Sequence, residues 1–390
     1  MKFDLMVVGG GAVGASVVRS ARGLSVALVA GARAKVEHLN PDAWDARVYA
    51  LSPGSVAFLK SIKVWDTIAA EALTPVHAMR VFGDDGEASL TFDAYRAGVP
   101  ELAWIVEDSV LQAALWRALA TQDGLEIFAP ARCEALVLGD SARVSLADGR
   151  TLEAGLVVGA DGADSFVRKA ARIAASEVPY GHTSVVANFA CERPHGNTAY
   201  QWFQPGFQSG AVLALLPLPG NRVSMVWSVP PGRAAELAGL EADALSQEVF
   251  AASCGTLGSL AAISVARTYP LRRITAARMV LPHLALAGDA AHVVHPLAGQ
   301  GLNLGLQDAQ CLGACLTGRE PVRGIGDLTV LRRYERERSE AILAMRATVN
   351  GLHALFGAAG PAAMRMRNAG LNLTDRLPVL KQALLRHALQ

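Results

Sequence analysis

The sequence is poor in charge and has almost no excess of either sign. Only 18% of its 390 residues are charged, and 36 Lys and Arg against 35 Asp and Glu leave a formal net charge of +1. A nucleic-acid-binding domain usually carries a clear basic excess, so nucleic acid is not an expected partner. Hydrophobic residues make up 52% of the chain. This content excludes a disordered protein and is enough for two or three domains or one large α/β unit.

Cysteine is scarce, and its spacing matches no metal or disulfide motif. The five cysteines are an odd number, and none of them forms a CxxC pair. This usage is typical of a reduced cytoplasmic protein, and no metal site is predicted. Cys311 and Cys315 lie one helical turn apart, which predicts two small residues in the core.

No apolar run has the length and position of a targeting or membrane segment. The first run contains Asp4 and leads directly into glycines, so no signal peptide is expected. The least charged long stretch, residues 206–221, is too short to span a bilayer. These features predict a cytoplasmic location.

The most informative stretch runs from residue 284 to residue 309. It begins with a short apolar run, Leu284 to Ala287, of the length of a buried strand. Gly288 then allows a turn, and Asp289 places a carboxylate at the carboxyl end of that strand, where open α/β sheets bind ligands. A glycine-rich loop and a predicted helix follow, and such a helix start presents free backbone N–H groups. The alternative is an ordinary strand–turn–helix corner with a structural aspartate.

The amino terminus contains a second nucleotide-binding pattern. A strand predicted over residues 3–8 is followed by the GxGxxG sequence of residues 9–14, a helix and a second strand over residues 26–29. This order predicts a dinucleotide site in which the glycines allow a tight turn and close approach of a pyrophosphate. The acid expected at the end of the second strand is replaced by Ala30. Arg33 nearby is compatible with a 2′-phosphate and hence with NADP as an alternative, so the mode of adenosine binding is left open at this point.

Two further segments complete the pattern. An apolar strand over residues 152–160 leads into Asp161 and Gly162, and the segment around Arg47 reads Arg-Val-Tyr-Ala-Leu-Ser. A Val-Glu-Asp-Ser-Val-Leu-Gln run ending at Gln112 lies between them in the chain. Taken alone, Asp161–Gly162 is only a turn, and Asp108 or Ser109 before Gln112 is compatible with a simple helix N-cap.

In this order the segments resemble the class A flavin monooxygenases of the para-hydroxybenzoate hydroxylase fold, in the form used by the ubiquinone-biosynthesis hydroxylases. The resemblance extends through nearly the whole chain. It implies that Asp289 binds the ribityl chain of FAD, that Arg47 lies by the flavin and its phosphates, and that Gln112 lies beside the cofactor. The cofactor-binding residues that it implies are Gly9, Gly11, Ala12, Val13, Gly14, Arg47, Gln112, Asp161, Gly162, Gly288, Asp289, Pro296, Gly299, Gln300, Gly301, Leu302 and Asn303.

The sequence assigns no catalytic base. His295 and Pro296 are the candidates for a catalytic role because they lie in the loop that the resemblance places by the flavin. His292 is the other histidine near this loop. A packed or surface histidine is the favoured alternative for both histidines.

The expected fold class is α/β, with a discontinuous Rossmann-like FAD-binding domain, an inserted antiparallel β substrate domain and a C-terminal helical segment. The predicted FAD-binding domain comprises residues 1–72, 97–178 and 271–330. The β domain comprises residues 73–96 and 179–270, and the C-terminal helical region comprises residues 331–390.

The candidates for an apolar substrate pocket are Trp202, Phe203, Phe207, Leu215 and Trp227. The favoured alternative is that these residues form ordinary sheet core. The charged run 332–338 is predicted to be a solvated helix face.

The resemblance implies an aromatic-ring hydroxylase that uses NAD(P)H and O2, with a polyprenylated phenol of ubiquinone biosynthesis as its substrate. Only one GxGxxG is present, so NAD(P)H is expected to bind transiently. Two alternatives remain: a flavin oxidoreductase of the same fold that does not insert oxygen, and a non-catalytic scaffold in a ubiquinone biosynthetic complex.

The segment 359–390 has five basic residues and one acid, and its leucines are spaced for an amphipathic helix. We therefore predict peripheral contact with the inner membrane face or with a biosynthetic complex, the alternative being a tail that packs on the FAD-binding domain.

Overall fold

A computed structural model describes residues 1–34, 44–83, 88–204, 211–294 and 300–357, with the backbone alone at residue 300 and residues 344–357. The helices are α1 (Ala12–Ser20), α2 (Pro53–Ser61), α3 (Ala94–Ala97), α4 (Asp108–Ala120), α5 (Phe166–Ala170), α6 (Pro231–Ala238), α7 (Ala242–Ala252), α8 (Gln300–Thr317) and α9 (Leu328–Gly357). The first ten strands are β1 (Lys2–Val8), β2 (Val26–Val29), β3 (Val48–Leu51), β4 (Thr74–Val76), β5 (Ala78–Phe82), β6 (Ser89–Asp93), β7 (Ala103–Glu107), β8 (Leu125–Phe128), β9 (Cys133–Leu138) and β10 (Ala142–Leu146). The others are β11 (Thr151–Gly159), β12 (Ala175–Cys191), β13 (Thr198–Phe203), β14 (Val212–Leu218), β15 (Arg222–Val229), β16 (Leu260–Ala262), β17 (Arg267–Ala276), β18 (Val280–Leu281), β19 (Leu284–Leu286) and β20 (His292–Val293).

The first sheet has the order β18–β19–β11–β1–β2–β8, with β10 and β9 continuing from β11. From β19 to β8 its strands run parallel. The central strands of this sheet have apolar residues at consecutive positions rather than at alternate ones, because helices cover both faces of the sheet. All four residues of β2, for example, are buried. Val8, Gly159 and Leu286 are aligned across β1, β11 and β19, so the ends of these three strands lie side by side.

The second sheet has the order β20–β17–β12–β15–β14–β13–β5–β6, with β16 pairing β12. Its pairings are antiparallel except for β13 with β5. One face packs beneath α6 and α7 around a core that includes Val185, Trp202, Leu215 and Trp227. Three of the predicted pocket residues are therefore ordinary sheet core. Phe203 lies in a separate cluster with Val81, Leu90 and Val212, and Phe207 lies outside the described residues.

A third, smaller sheet has the order β3–β7–β4. An apolar cluster joins it to the second sheet and includes residues from β4, β7, β13 and β14. Two polar contacts add to this junction. The Asn188 side-chain amide donates to the Asp45 carbonyl at 2.8 Å, and the Arg47 guanidinium lies over the Tyr269 ring at 5.3 Å. The segment that carries Arg47 is thus held against the second sheet.

Two predicted helices differ from those observed. The sequence of residues 55–70 predicts one amphipathic helix, but α2 ends at Ser61 because Lys63 adopts a left-handed backbone with φ of 58°. The sequence of residues 234–250 also predicts one helix, but the structure has two, α6 and α7, separated at Gly239. Among the described helices, none combines the length and the apolar character needed to cross a bilayer.

The predicted solvated face on α9 is wrong in part. Tyr334 is fully buried, and Arg338 is only 5% exposed. Both lie on the same stripe of the helix as the buried Leu331 and Ile342, at the three- and four-residue spacing that faces one side. Local charge density predicted an exposed face, but these two polar side chains have buried partners elsewhere in the fold.

Candidate functional site

Three sequence motifs meet where the three central strands end. Gly9 follows β1, Asp161 comes two residues after β11, and Gly288 and Asp289 follow β19. The side-by-side register of these strands brings the three turns together at one edge of the first sheet. Ligands bind at the carboxyl edge in open α/β sheets. The fold therefore builds one site from segments that are far apart in the sequence.

The glycine loop is shaped by two close backbone contacts and one opening. A Cβ on Gly9 would lie 2.1 Å from the Ala160 carbonyl oxygen, and a Cβ on Gly14 would lie 1.9 Å from the Gly9 oxygen. Neither distance is compatible with a side chain. At Gly11, by contrast, a Cβ would meet only the Gln112 amide nitrogen, at 3.8 Å. Gly9 and Gly14 close the turn, and Gly11 leaves room for a ligand to approach the backbone.

The Asp161–Gly162 turn lies against this loop. The Asp161 carboxylate accepts hydrogen bonds from the Ser165 hydroxyl at 2.5 Å and from the Val167 amide at 3.0 Å. These bonds organise the start of α5. Gly162 has a φ of 82°, and no atom lies within 4 Å of a Cβ placed there. In the structure Asp161 is a turn-forming residue, and its predicted contact with FAD remains a prediction.

Val13 joins the glycine loop to the Gly288–Asp289 turn. A Cβ on Gly288 would lie 3.1 Å from a Val13 methyl group, and a Cβ on Gly305 of α8 would lie 2.5 Å from the same side chain. Gly288 also has a φ of 59°, a conformation that glycine adopts at little cost. The small residues at 288 and 305 therefore let α1 and α8 close around the turn.

Asp289 is exposed to solvent, yet the surrounding protein removes much of the water around its carboxyl. This desolvation raises the pKa of Asp289, while the nearby His292 and Arg47 partly offset the rise. The Asp289 carboxylate is therefore accessible but poorly hydrated. Such a group is suited to accept hydrogen bonds from the hydroxyl groups of a bound ligand.

A polar network leads from Asp289 to the glycine loop. Tyr49 forms side-chain hydrogen bonds with Arg47 and Asp108, and Asp108 forms another with Gln112. Burial raises the pKa of the Asp108 carboxyl, against the opposing charge of Arg47. One oxygen of Asp108 and the amide oxygen of Gln112 are buried without a partner. Tyr49 was not among the residues predicted from the sequence.

These features fit a dinucleotide cofactor. The relevant features are the open backbone at Gly11, the accessible carboxylate of Asp289 and the unpaired oxygens of Asp108 and Gln112. Backbone N–H groups at the start of a helix and a guanidinium suit phosphates. Ribose or ribityl hydroxyls suit carboxylate and amide oxygens.

Asp308 on α8 fixes the Gly288–Asp289 turn from inside the protein. Its carboxylate is fully buried and accepts from the Gly288 amide at 2.8 Å, from His292 Nε2 at 2.6 Å and from Arg338 Nε at 2.7 Å. Tyr334 adds a fourth link, because its hydroxyl donates to the Leu286 carbonyl at 2.8 Å. The sequence analysis missed this network. One feature of the sequence could have indicated this network, because Asp308 is the only charged residue of α8.

Asn303 has a bridging position rather than an open one. It is 1% exposed; its side-chain oxygen accepts from the Ser52 amide at 2.9 Å, and its nitrogen donates to the Ala50 carbonyl at 2.8 Å. The side chain thus ties the first turn of α8 to the end of β3. This geometry neither requires nor excludes the predicted cofactor contact, which stays a prediction.

We expect Asn303→Ala to lower the free energy of unfolding by about 1–3 kcal/mol, since it removes the side-chain hydrogen bonds to the Ser52 amide and the Ala50 carbonyl. Urea titration of the wild type and the variant measures this difference. Asn221→Ala, at an exposed turn position, is the matched control and should change stability little. An equal loss in both variants would contradict the bridging role.

Several predicted cofactor residues lie outside the described part of the chain. His295, Pro296 and Gly299 belong to this group, and only the backbone of Gln300 is described. Gly301 and Leu302 lie in the first turn of α8, and a Cβ on Gly301 would meet no atom within 4 Å. Ala12 is buried in the main core. The predictions for these residues are untested.

Ala30 occupies the position where an acidic residue was expected, and its neighbours pack tightly around it. Ala30 is 4% exposed, and a Cβ on Gly10 would lie 2.8 Å from both Ala30 and the Trp116 ring. Trp116 also donates from its indole nitrogen to the Gly10 carbonyl at 2.9 Å. A glutamate side chain at position 30 would have to leave this packing to reach the ribose of a bound dinucleotide. The adenosine end of the cofactor must therefore be bound by other groups.

A profile for the FAD-binding domain matches residues 2–348. The chain belongs to the FAD-binding domain family. Its predicted family, fold class and cofactor FAD are thereby confirmed. Among curated relatives, the 3-demethoxyubiquinol 3-hydroxylase of Escherichia coli (strain K12) is 33% identical over 99% of this chain and 98% of that protein. The mitochondrial ubiquinone biosynthesis monooxygenase COQ6 of Homo sapiens is 30% identical over 99% and 92%.

Solved structures agree on the fold. The p-nitrophenol 4-monooxygenase PnpA of Pseudomonas putida has a TM-score of 0.79 at 18% identity, covering 100% of this chain and 98% of that one. PqsL of P. aeruginosa in complex with 2-aminobenzoylacetate has a TM-score of 0.78 at 22% identity, covering 95% and 99%. At these identities the similarity establishes the architecture alone.

Proposed function

We propose that this protein is an FAD-dependent monooxygenase that hydroxylates a prenylated phenol of ubiquinone biosynthesis with NAD(P)H and O2. The observation that carries the proposal is the alignment of Val8, Gly159 and Leu286, which brings three nucleotide-binding turns to one sheet edge. The names of the full-length relatives support the reaction and the pathway. Those relatives bear on the substrate, whereas the site geometry bears on the cofactor.

The residues of this chain would hold FAD along the described edge. When bound, FAD supplies acceptance of a hydride from NAD(P)H and activation of O2. Asp289 would accept hydrogen bonds from ribityl hydroxyls, and the backbone at Gly11 would approach the pyrophosphate. Arg47 would balance the charge of the phosphates. The amides of the first turn of α8 would add a positive field, which favours a negatively charged ring edge.

The junction between the second and third sheets is the proposed wall of the substrate site. Its apolar cluster contains buried residues of both sheets and partly buried ones beside them: Trp44, Val48, Ala50, Val76, Met79, Leu102, Ala103, Ile105, Ala199, Leu216 and Leu218. Ala50 also connects this cluster to α8 through Asn303. An apolar wall excludes water and would accept a phenol with a hydrocarbon chain.

The function is tested by incubating the purified, FAD-loaded protein with NAD(P)H, isotopically labelled O2 and a short-chain prenylphenol. A hydroxylase consumes one NAD(P)H for each labelled oxygen atom inserted into the ring, and the second oxygen atom leaves as water. H2O2 without ring labelling would indicate an oxidoreductase that does not insert oxygen. A purified protein that never retains flavin would indicate the scaffold alternative.

Membrane contact through residues 359–390 is a separate proposal, and this segment lies outside the described residues. Its arginines and lysine outnumber its single acid by four, and a basic amphipathic helix binds anionic interfaces. We expect the full chain to sediment with anionic liposomes at low salt and a chain ending at Gly357 to stay in solution. Release of the full chain by salt would identify charge as the driving force. Absence of the full chain from the liposome pellet would contradict the proposal.

A further inference from the structure

Three side chains that commonly bind metals meet between α8 and α9. The sulfur atoms of Cys311 and Cys315 and a carboxylate oxygen of Glu337 all lie within 4.8 Å of one another. Cys311 is buried, Cys315 is half-buried and Glu337 is exposed. The cluster therefore has a protein-covered side and a side that opens to solvent. The two cysteines alone matched no motif, because the third group comes from the next helix.

The polar side chains beside the cluster already have partners of their own. Arg333 lies near Cys315 but forms an ion pair with Glu320. The buried Tyr334 hydroxyl donates to a backbone carbonyl of β19. Neither neighbour competes as a ligand.

We propose that Cys311, Cys315 and Glu337 bind a thiophilic divalent cation of the Zn²⁺ class, with water as a fourth ligand. Zn²⁺ prefers tetrahedral sites built from thiolate, imidazole or carboxylate, with bonds of about 2.0–2.3 Å. Ligand atoms at the corners of such a site lie about 3.5–4 Å apart, which small side-chain rotations can reach from the observed spacing. Two thiolates and one carboxylate carry three negative charges, which attract a divalent cation.

The bound cation would fasten α8 to α9. These are the helices that supply Asp308 and Arg338 to the network behind the Gly288–Asp289 turn. The site itself is separate from the predicted cofactor contacts. A ligand that binds only the folded state stabilises it by mass action, so the expected role is structural. This inference does not depend on the proposed substrate or reaction.

The test is a Zn²⁺ titration of the full chain, in competition with a chromophoric chelator and without NAD(P)H. We expect one equivalent of Zn²⁺ to bind and the melting temperature to rise. Loss of a second-shell partner already costs about 10- to 100-fold in metal affinity, so Cys315→Ser should weaken binding at least about 100-fold. Co²⁺ in place of Zn²⁺ should give thiolate charge-transfer absorption in the wild type, and Cys315→Ser should reduce it.

Two further variants make the test specific. Glu337→Gln replaces an exposed side chain, so it should fold normally while losing affinity and the rise in melting temperature. Cys254→Ser removes an exposed cysteine outside the cluster and should bind like the wild type. The proposal is overturned if the wild type binds no Zn²⁺, if Cys311→Ser/Cys315→Ser binds as well as the wild type, or if Glu337→Gln is indistinguishable from it.

Discussion

Asp308→Asn is expected to lower the free energy of unfolding by about 3–5 kcal/mol, the usual cost of leaving a buried charge unpaired. Arg338 is 5% exposed, and its Nε donates to Asp308, so the neutral amide leaves the guanidinium without its counter-charge. The same carboxylate accepts from Gly288 and His292. FAD affinity should therefore fall together with stability, because the turn that carries Asp289 loses its support.

Urea unfolding and FAD titration of the variant measure the two effects. Asp327→Asn is the matched control, since it weakens a partly exposed Arg323–Asp327 pair at 2.9 Å, and it should change stability little. Replacing both Asp308 and Arg338 by Leu and Met should recover much of the stability but not the FAD affinity. A single variant as stable as the wild type would show that the buried pair is not needed.

The pH dependence of stability gives an independent check on Asp308. Burial alone would raise the pKa of its carboxyl, but the charges of His292 and Arg338 and their hydrogen bonds lower it overall. A lowered folded-state pKa means that the carboxylate stabilises the protein above the pKa of the unfolded chain. This contribution is lost as the pH falls through the lower, folded-state pKa. Asp308→Asn should lack that part of the acid-induced loss.

How far the sequence predicted the fold depends on the range of each interaction. The β1–loop–α1–β2 unit was predicted closely, because strand length and glycine turns are local signals. Division of one predicted helix into α6 and α7 was missed, since Gly239 alone lowers helix propensity only modestly. The burial of Tyr334 and Arg338 was missed because their partners are Leu286 and Asp308.

The candidate site shows the same limit. Gly9, Gly11, Gly14, Gly288 and Asp289 were identified from motifs, and the register of the parallel strands accounts for their proximity. The groups behind them were not predicted. Tyr49, Asp308 and Arg338 act through pairings between distant segments, and no spacing in the chain encodes these. Likewise, Glu337 joins the two cysteines only once α8 and α9 are packed together.

Asp289→Ala is expected to lose FAD while the protein remains folded. Each hydrogen bond to a charged acceptor contributes about 1.5–3 kcal/mol, so loss of one such bond to a ribityl hydroxyl weakens FAD binding about 10- to 100-fold. The apoprotein should be no less stable than the wild type, because desolvation raises the pKa of Asp289 and a poorly hydrated carboxylate opposes folding. Flavin fluorescence titration and a melting curve without FAD measure the two quantities.

The pH dependence of FAD binding separates a ligand-binding carboxylate from a structural one. Accepting hydrogen bonds favours the ionised form, so FAD should lower the pKa of Asp289 from its raised value in the free protein. Binding then releases a proton, and affinity rises with pH until the pH exceeds the pKa of the free protein. Asp289→Asn keeps the size of the side chain and should show no such rise. Equal affinity and an equal pH profile in the wild type and both variants would mean that Asp289 does not bind the cofactor.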